Sequence, residues 1–393
     1  MTTLRDVVDV LDEAYNPRWA EDWDAVGTVA GDPDAPVRRI LLAVDPVQQV
    51  ADEAVRLDAD LLLTHHPLFL RGTTTVAAST PKGRVVHTLM RNNIALHTCH
   101  TNADVPELGV SESMAFALGL SDVRPLLPAV QDGGDGMDKW IVFVPADDTD
   151  TVAEGLWAAG AGMLGEYTRA SFRSTGTGTF RPSADANPAI GSAGADEHVA
   201  ETRLEVVAPR ARREAIRAAL LAAHPYEEPA YDVFESAARP AADDPGRAHR
   251  GHGRIGHLAE AMTLHDFAVM VREALPSHHG GIRVAGEPGQ DIRTVALCGG
   301  SGDFLLDRAQ QAGADVYVTS DLRHHPVSEH REQAEACAVV DVPHWAAEWT
   351  WLPVAAHLLQ DRLGDSVEIH ISSTVTDPWS FTVAADLETR SAR

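Results

Sequence analysis

Cysteine is scarce in this chain. Three thiols in 393 residues, Cys99, Cys298 and Cys337, contain no CxxC pair and cannot build a disulfide framework. That pattern points to a reduced protein with thiols in its core. Long apolar runs are missing too: none approaches the roughly 18 residues that cross a bilayer. Residues 1–27 carry no charged-then-apolar leader, so the expected location is the cytoplasm. Positive charge is in short supply, with 32 Lys and Arg against 58 Asp and Glu and a net charge of −26. Nucleic acid and anionic membranes are held by clustered cations, so both are disfavoured as partners. A local cationic or metal-lined pocket remains open.

What the chain does have is histidine. There are 19, several of them close together: His65-His66, His97 with His100, His278-His279 and His324-His325. In an acidic, cysteine-poor protein such clustering favours a metal site built from nitrogen and oxygen.

The hydrophobic pattern gives an α/β organisation. Apolar runs of strand length at 39–45 (RILLAVD), 59–65 (ADLLLTH) and 94–100 (IALHTCH) alternate with helical segments at 47–56, 84–92 and 111–118. The same grammar returns with strands at 294–298, 314–319 and 338–342, helices at 304–311, 328–336 and 345–360, and a closing strand at 367–373. ADLLLTHHP at 59–67 echoes ADVYVTSDLRHHP at 314–326, a faint sign of two related halves. Between them, glycine-rich 129–137 and the linker-like stretch 236–253 bracket a segment reading βα then βαβ, the pattern of a ferredoxin-like module. The expected architecture is a three-layer α/β/α core assembled from residues 1–128 and 254–393, with an inserted α+β domain over 138–235.

Three motifs carry chemistry. His65-His66-Pro67 follows a strand directly, where ligands gather in open α/β sheets. Adjacent strand side chains point to opposite sides, so both histidines serve one site only where the strand breaks into a loop, which Pro67 permits. Solvated histidines are the alternative. His100-Thr101-Asn102-Ala103-Asp104 ends the third strand: Asp104 can bridge two cations and His100 can be a further ligand or support one. A polar turn capping the next helix is the alternative there. His344 and Glu348 are spaced i,i+4 at a helix start, so both can reach one point, or form an ordinary surface pair. Taken together, three His and two carboxylates exceed what one tetrahedral zinc needs and suit two ions sharing a carboxylate. Asp321 to Pro326 (DLRHHP) also follows a strand, which makes His324 and His325, with His100, candidate proton-transfer groups. Gly299-Gly300-Ser301-Gly302 reads as a turn that could cradle phosphate.

LLLTHHPLF, HTNAD, VTSDLRHH and DVPHWAAE, with EDWDAVG, LLAVD and ALCGGSGDF, resemble the Nif-three-like dinuclear metal-centre family, often labelled GTP cyclohydrolase type-two homologs. The resemblance implies two metals held by His65, His66, Asp104, His344 and Glu348, and a ring-shaped hexamer with its sites facing an internal cavity. The inserted segment, through AGAGMLGEYTRASFRSTGTGTF, NPAIG and HPYEEPAYD, is similar to the longer bacterial members and resembles the PII and CutA group. His224 and Glu227-Glu228 within it read as supports of that module's own fold. Two positions depart from the family pattern: Trp345 stands where a tyrosine is common, and Ser320 where a glycine is. Both bear on cavity shape.

The functional expectation is a hydrolase of a nucleotide or phosphoester-like small molecule, of the GTP cyclohydrolase type by family label, using two divalent ions. Zn, Fe, Mn and Ni all suit the donor set. A non-catalytic metal-binding or regulatory hexamer, or a metal chaperone, is the other class.

Overall fold

A computed structural model describes residues 2–128, 137–164, 167–186, 188–236 and 249–383. The chain divides into two compact units, one formed by Met1–Ala129 with Asp244–Arg393 and the other by Val130–Asp243.

The first unit holds two sheets. Residues of the N-terminal half form a five-stranded sheet in the order Gly27–Ala30, Ala95–Thr98, Leu61–Thr64, Arg39–Ala43, Glu368–Ile371. Four of these strands run parallel and Gly27–Ala30 is antiparallel at the edge. The second sheet has six strands in the order Arg283–Ala285, Ala338–Val342, Val316–Ser320, Asp291–Ser301, Gly251–Thr263, Ser121–Pro128. Three adjacent strands at its centre are parallel. The three-layer core expected from the sequence has one sheet between two helix layers, and that expectation is corrected: there are two sheets. Each half closes its own sheet, and each borrows one strand from the other half: Glu368–Ile371 in the first, Ser121–Pro128 in the second.

The reason lies in which faces are apolar. Ile40, Leu42, Leu61 and Leu63 on the first sheet and Val295, Leu297, Val316, Val318 and Val340 on the second belong to one buried cluster. The helices Leu4–Ala14, Val110–Ala117, Leu264–Ala274 and Trp351–Leu363 contribute Leu11, Met114, Phe267 and Leu352 to it. The opposite face of the first sheet, with Leu41 and Leu62, packs on the helices Gln48–Arg56 and Pro81–Arg91. That of the second, with Ala296, Tyr317 and Val339, packs on Leu306–Gln311. Strands apolar on both faces need cover on both, and each fully buried Leu or Val contributes roughly 2 kcal/mol.

Several elements differ from the sequence reading. The strand expected at 294–298 runs on to Ser301, so Gly299 and Gly300 lie in a strand rather than a turn. The helix expected at 328–336 is His324–Arg331. That expected at 345–360 is two helices, His344–Trp349 and Trp351–Leu363, broken at Thr350. Residues 251–253, read as linker, begin the long strand Gly251–Thr263. Residues 129–136 and 237–248 lie outside the described residues.

The second unit is a four-stranded antiparallel sheet in the order Ser171–Phe180, Glu197–Pro209, Met137–Pro145, Tyr231–Glu235. Helices Thr149–Ala158 and Arg213–Ala223 bury Val152, Leu156, Ile216 and Leu220 against Trp140, Val142 and Leu204 of the sheet. The chain order is β–α–β–β–α–β. Its glycine-laden strand, S-F-R-S-T-G-T-G-T-F, carries too few apolar side chains to announce itself. His224 is structural: Tyr226 donates its backbone N–H to Nδ1 at 3.1 Å and Nε2 reaches the Phe143 carbonyl at 3.0 Å.

Candidate metal centre

Within the first unit the carboxyl ends of three parallel strands deliver the histidines. Thr64 pairs with Thr98 at the last rung between Leu61–Thr64 and Ala95–Thr98. The next residues, His65 and His66 on one strand and Cys99 and His100 on the other, leave the ladder. From the second sheet, the strand Ala338–Val342 ends at Val342, Pro343 caps the following helix, and His344 is its first residue. One helical turn later Glu348 faces the same point, only 3% exposed.

Glu348 is the hub. Its Oε1 lies 2.7 Å from His344 Nε2 and 3.4 Å from His65 Nε2, and its Oε2 lies 2.9 Å from His66 Nε2. His65 Nε2 is also 3.7 Å from Asp104 Oδ1. The rings of His65, His66 and His100 stand 5.1 to 5.5 Å apart, and His66 is 5.3 Å from His344. His65, His66 and His100 form one group whose ligand atoms all fall within 4.8 Å, and His66, His344 and Glu348 form a second. Either group could hold a metal ion. The five residues expected from the sequence are thus brought together, with His100 beside them.

Each imidazole is tethered from behind. His65 Nδ1 donates to the Cys99 carbonyl at 2.9 Å, which leaves Nε2 the lone-pair nitrogen. His66 Nδ1 reaches Asp45, His100 Nδ1 reaches Asp24, and His344 Nδ1 reaches Asp321, each at 2.7 Å. Carboxylate or carbonyl partners of this kind fix the tautomer and aim Nε2 inward. Asp24, Asp45 and Asp321 were not identified as tethers from the sequence. The available signal was their place beside strand ends, in EDWDAVG, LLAVD and VTSD.

Burial and hydrogen bonding distinguish these residues from caps and surface pairs. Asp104 does not cap a helix: Oδ1 is buried without a hydrogen-bond partner, while Asn102 accepts the His100 backbone N–H at 2.9 Å. His344 and Glu348 are not a surface pair. His65 Nε2 is likewise buried without a hydrogen bond. Stranding such atoms costs free energy unless something binds there.

The electrostatics follow. Burial alone would push the Glu348 carboxyl up, but His344, His66 and His65 hold it well below the usual carboxylate range. Burial would depress His66, yet Glu348 and Asp45 push it up to about 10. His344, between Glu348 and Asp321, rises to about 11 against the same burial. Asp104 is raised by desolvation despite His65 and His100. The buried Glu348 carboxylate is thus balanced by the protons of His66 and His344.

A sequence model of the Duf34/NIF3 family (NGG1p interacting factor 3) matches residues 2–378. The chain belongs to the NIF3 family. Relatives include the GTP cyclohydrolase 1 type 2 homolog of Mycobacterium tuberculosis, 46% identical over 96% of this chain and 97% of the relative. The Streptomyces coelicolor homolog of the same name is 38% identical over 98% and 96%. Among solved structures, a Bacillus cereus protein related to NIF3 is 33% identical with a TM-score of 0.64, covering 97% of this chain and 99% of that one. A Staphylococcus aureus protein is 26% identical with a TM-score of 0.67 over the same shares.

Against this NIF3 frame, the glycine turn has a different role from the one expected. Gly300 has φ +76°, and a Cβ there would lie 2.6 Å from Glu348 Oε1. The glycine makes room for the hub carboxylate rather than for phosphate. His324 and His325 open the helix His324–Arg331, exposed, with rings 5.3 Å apart, outside both groups of ligand atoms. A cavity of about 860 Å³ opens beside His66 and His344, and Trp345, Trp379 and Phe381 form part of its wall. Among the described residues no helix is long and apolar enough to cross a membrane.

Proposed function

We propose that this NIF3-family chain is a metal-dependent hydrolase of a nucleotide or phosphoester-like small molecule, with two divalent cations held by His65, His66, Asp104, His344 and Glu348. His100 reads as a further donor. The observation that carries the proposal is the convergence of Asp104 Oδ1 and His65 Nε2, both buried without a hydrogen bond, on Glu348, whose oxygens face His344, His66 and His65 at 2.7 to 3.4 Å. The donor chemistry fits: neutral imidazoles and carboxylates without thiolate suit Zn, Fe, Mn or Ni. Two divalent cations at such a site supply Lewis acidity and lower the pKa of water. The chain's own part is to fix four Nε2 atoms through their Nδ1 tethers, to seat Glu348 between the two donor groups, and to give the substrate a walled cavity beside His66 and His344.

The relatives' name, GTP cyclohydrolase 1 type 2 homolog, supports the hydrolytic class and a guanine nucleotide as first substrate to try. We read the inserted unit as a ferredoxin-like, PII- or CutA-like module, a reading its β–α–β–β–α–β order supports. We further infer a homohexamer acting in the cytoplasm.

The test is turnover. Metal-loaded protein is expected to hydrolyse a member of a nucleotide and phosphoester panel, with Glu348→Ala reducing the rate by about 100-fold or more. Metal-loaded protein inert across the panel overturns the hydrolase reading and leaves metal storage or regulation.

A further inference from the structure

We propose that a second cavity, sharing a wall with that of the metal centre, binds the phosphate end of the substrate. It has a volume of about 420 Å³ and is bounded by Arg283, Arg323, His324 and Arg331. In a chain of net charge −26, three guanidinium groups line this one space, and Asp341 is the single carboxylate among the described lining residues. Three guanidinium charges face one carboxylate in the lining, and with Asp303, the partner of Arg323, counted as well, an excess of one remains. Arg283 pairs with that Asp341, its Nε donating at 2.8 Å. Arg323, largely exposed, pairs with Asp303, which lies outside the lining, at 2.6 Å. Arg331 uses Nη1 on the carbonyls of Ala336 and Cys337 at 2.8 and 3.0 Å and, among the described residues, meets no carboxylate. Its charge is uncancelled. The helix His324–Arg331 also opens here with no side-chain cap from Arg323, so its first backbone N–H groups are left to an incoming acceptor.

The neighbouring cavity holds four carboxylates, Asp45, Asp321, Asp341 and Asp377, against Arg283, His66 and His344, and Arg283 and Asp341 lie in the wall common to both. A substrate can span both. Its oxyanion lies among the arginines, whose planar forks match phosphate oxygens. Its reacting group lies beside His66 and His344. The subsite also gives His324, which the metal groups leave out, a place next to the ligand. The inference rests on the proposed hydrolytic centre only for its choice of ligand.

Calorimetric titration of chelator-treated protein tests it, since phosphate then has no cation to bind. The probes are guanosine, guanosine 5′-monophosphate and inorganic phosphate. The monophosphate is expected to bind at least tenfold more tightly than guanosine, and more weakly as salt rises. Arg323→Gln, at an exposed position, should weaken the monophosphate about tenfold and leave guanosine unchanged. Asp303→Asn, which releases Arg323 from its partner, should strengthen it. Inorganic phosphate binding as tightly as the monophosphate, with the same response to both variants, supports the subsite and removes the nucleoside from it. Equal affinity for guanosine and its monophosphate, or indifference to both substitutions, overturns the proposal. Metal content measured on the same samples reports separately on the centre, so that either can fail alone.

Discussion

At the scale of single residues the centre depends on aim. An imidazole is a metal ligand only if the right nitrogen faces inward, and Asp45, Asp24, Asp321 and the Cys99 carbonyl decide that for His66, His100, His344 and His65. Gly300 contributes by absence. Its positive φ and the proximity of Glu348 Oε1 leave no place for a methyl group. Gly300→Ala should therefore displace the hub carboxylate and lower metal affinity by tenfold or more, as measured by metal content after dialysis. Retention of full metal content by this variant would show that Glu348 does not need that space. The candidate ligands were legible in the sequence because the segments that carry them each follow an apolar run. The tethers were not, since nothing in the order of residues says which carboxylate will meet which Nδ1.

At the scale of elements the pieces are held in register by a buried cation. Arg254, fully buried on the strand Gly251–Thr263, donates to the Glu112 carboxylate at 2.9 Å and to the carbonyls of Pro106, Gly251 and Gly253. Pro106 lies two residues beyond Asp104, so the same guanidinium ties the Asp104 segment to the second sheet. Removing one partner of a buried pair strands the other. Arg254→Met should cost about 3–5 kcal/mol in denaturant unfolding. A loss below about 1 kcal/mol would mean that the carbonyls and Glu112 find other donors. Strands apolar on both faces, such as Leu61–Thr64 and Ala338–Val342, were readable to within a few residues. The strand Gly251–Thr263 was missed because its glycines and arginine resemble linker. Gly299-Gly300 was read as a turn because glycine pairs usually are, whereas here the space is reserved for a side chain from the helix His344–Trp349.

At the scale of the whole molecule, the alternation of strands and helices was enough to give the α/β class. It did not separate one sheet from two. Hydrophobic periodicity says that a strand is covered on both faces but not which strand lies beside it, and the two strands exchanged between halves lie far apart in sequence. The consequence for function is that the centre sits where two sheets direct their carboxyl ends at each other, with His65, His66, His100 and Asp104 from one half and His344 and Glu348 from the other. On the proposed reading of the site, ion binding is pH-dependent. His66, raised to about 10, and His344, raised to about 11, keep their protons at neutral pH in the ion-free chain, and a cation can bind only as they leave. Affinity must then rise with pH. The most direct measurement is a calorimetric titration of the metal-stripped chain with a divalent ion near neutral pH, in buffers of different ionisation enthalpy. The account predicts two ions per chain, protons released as they bind, and loss of binding in Glu348→Ala. A chain that takes up no ion, or a Glu348→Ala variant that binds as the unaltered chain does, would contradict it.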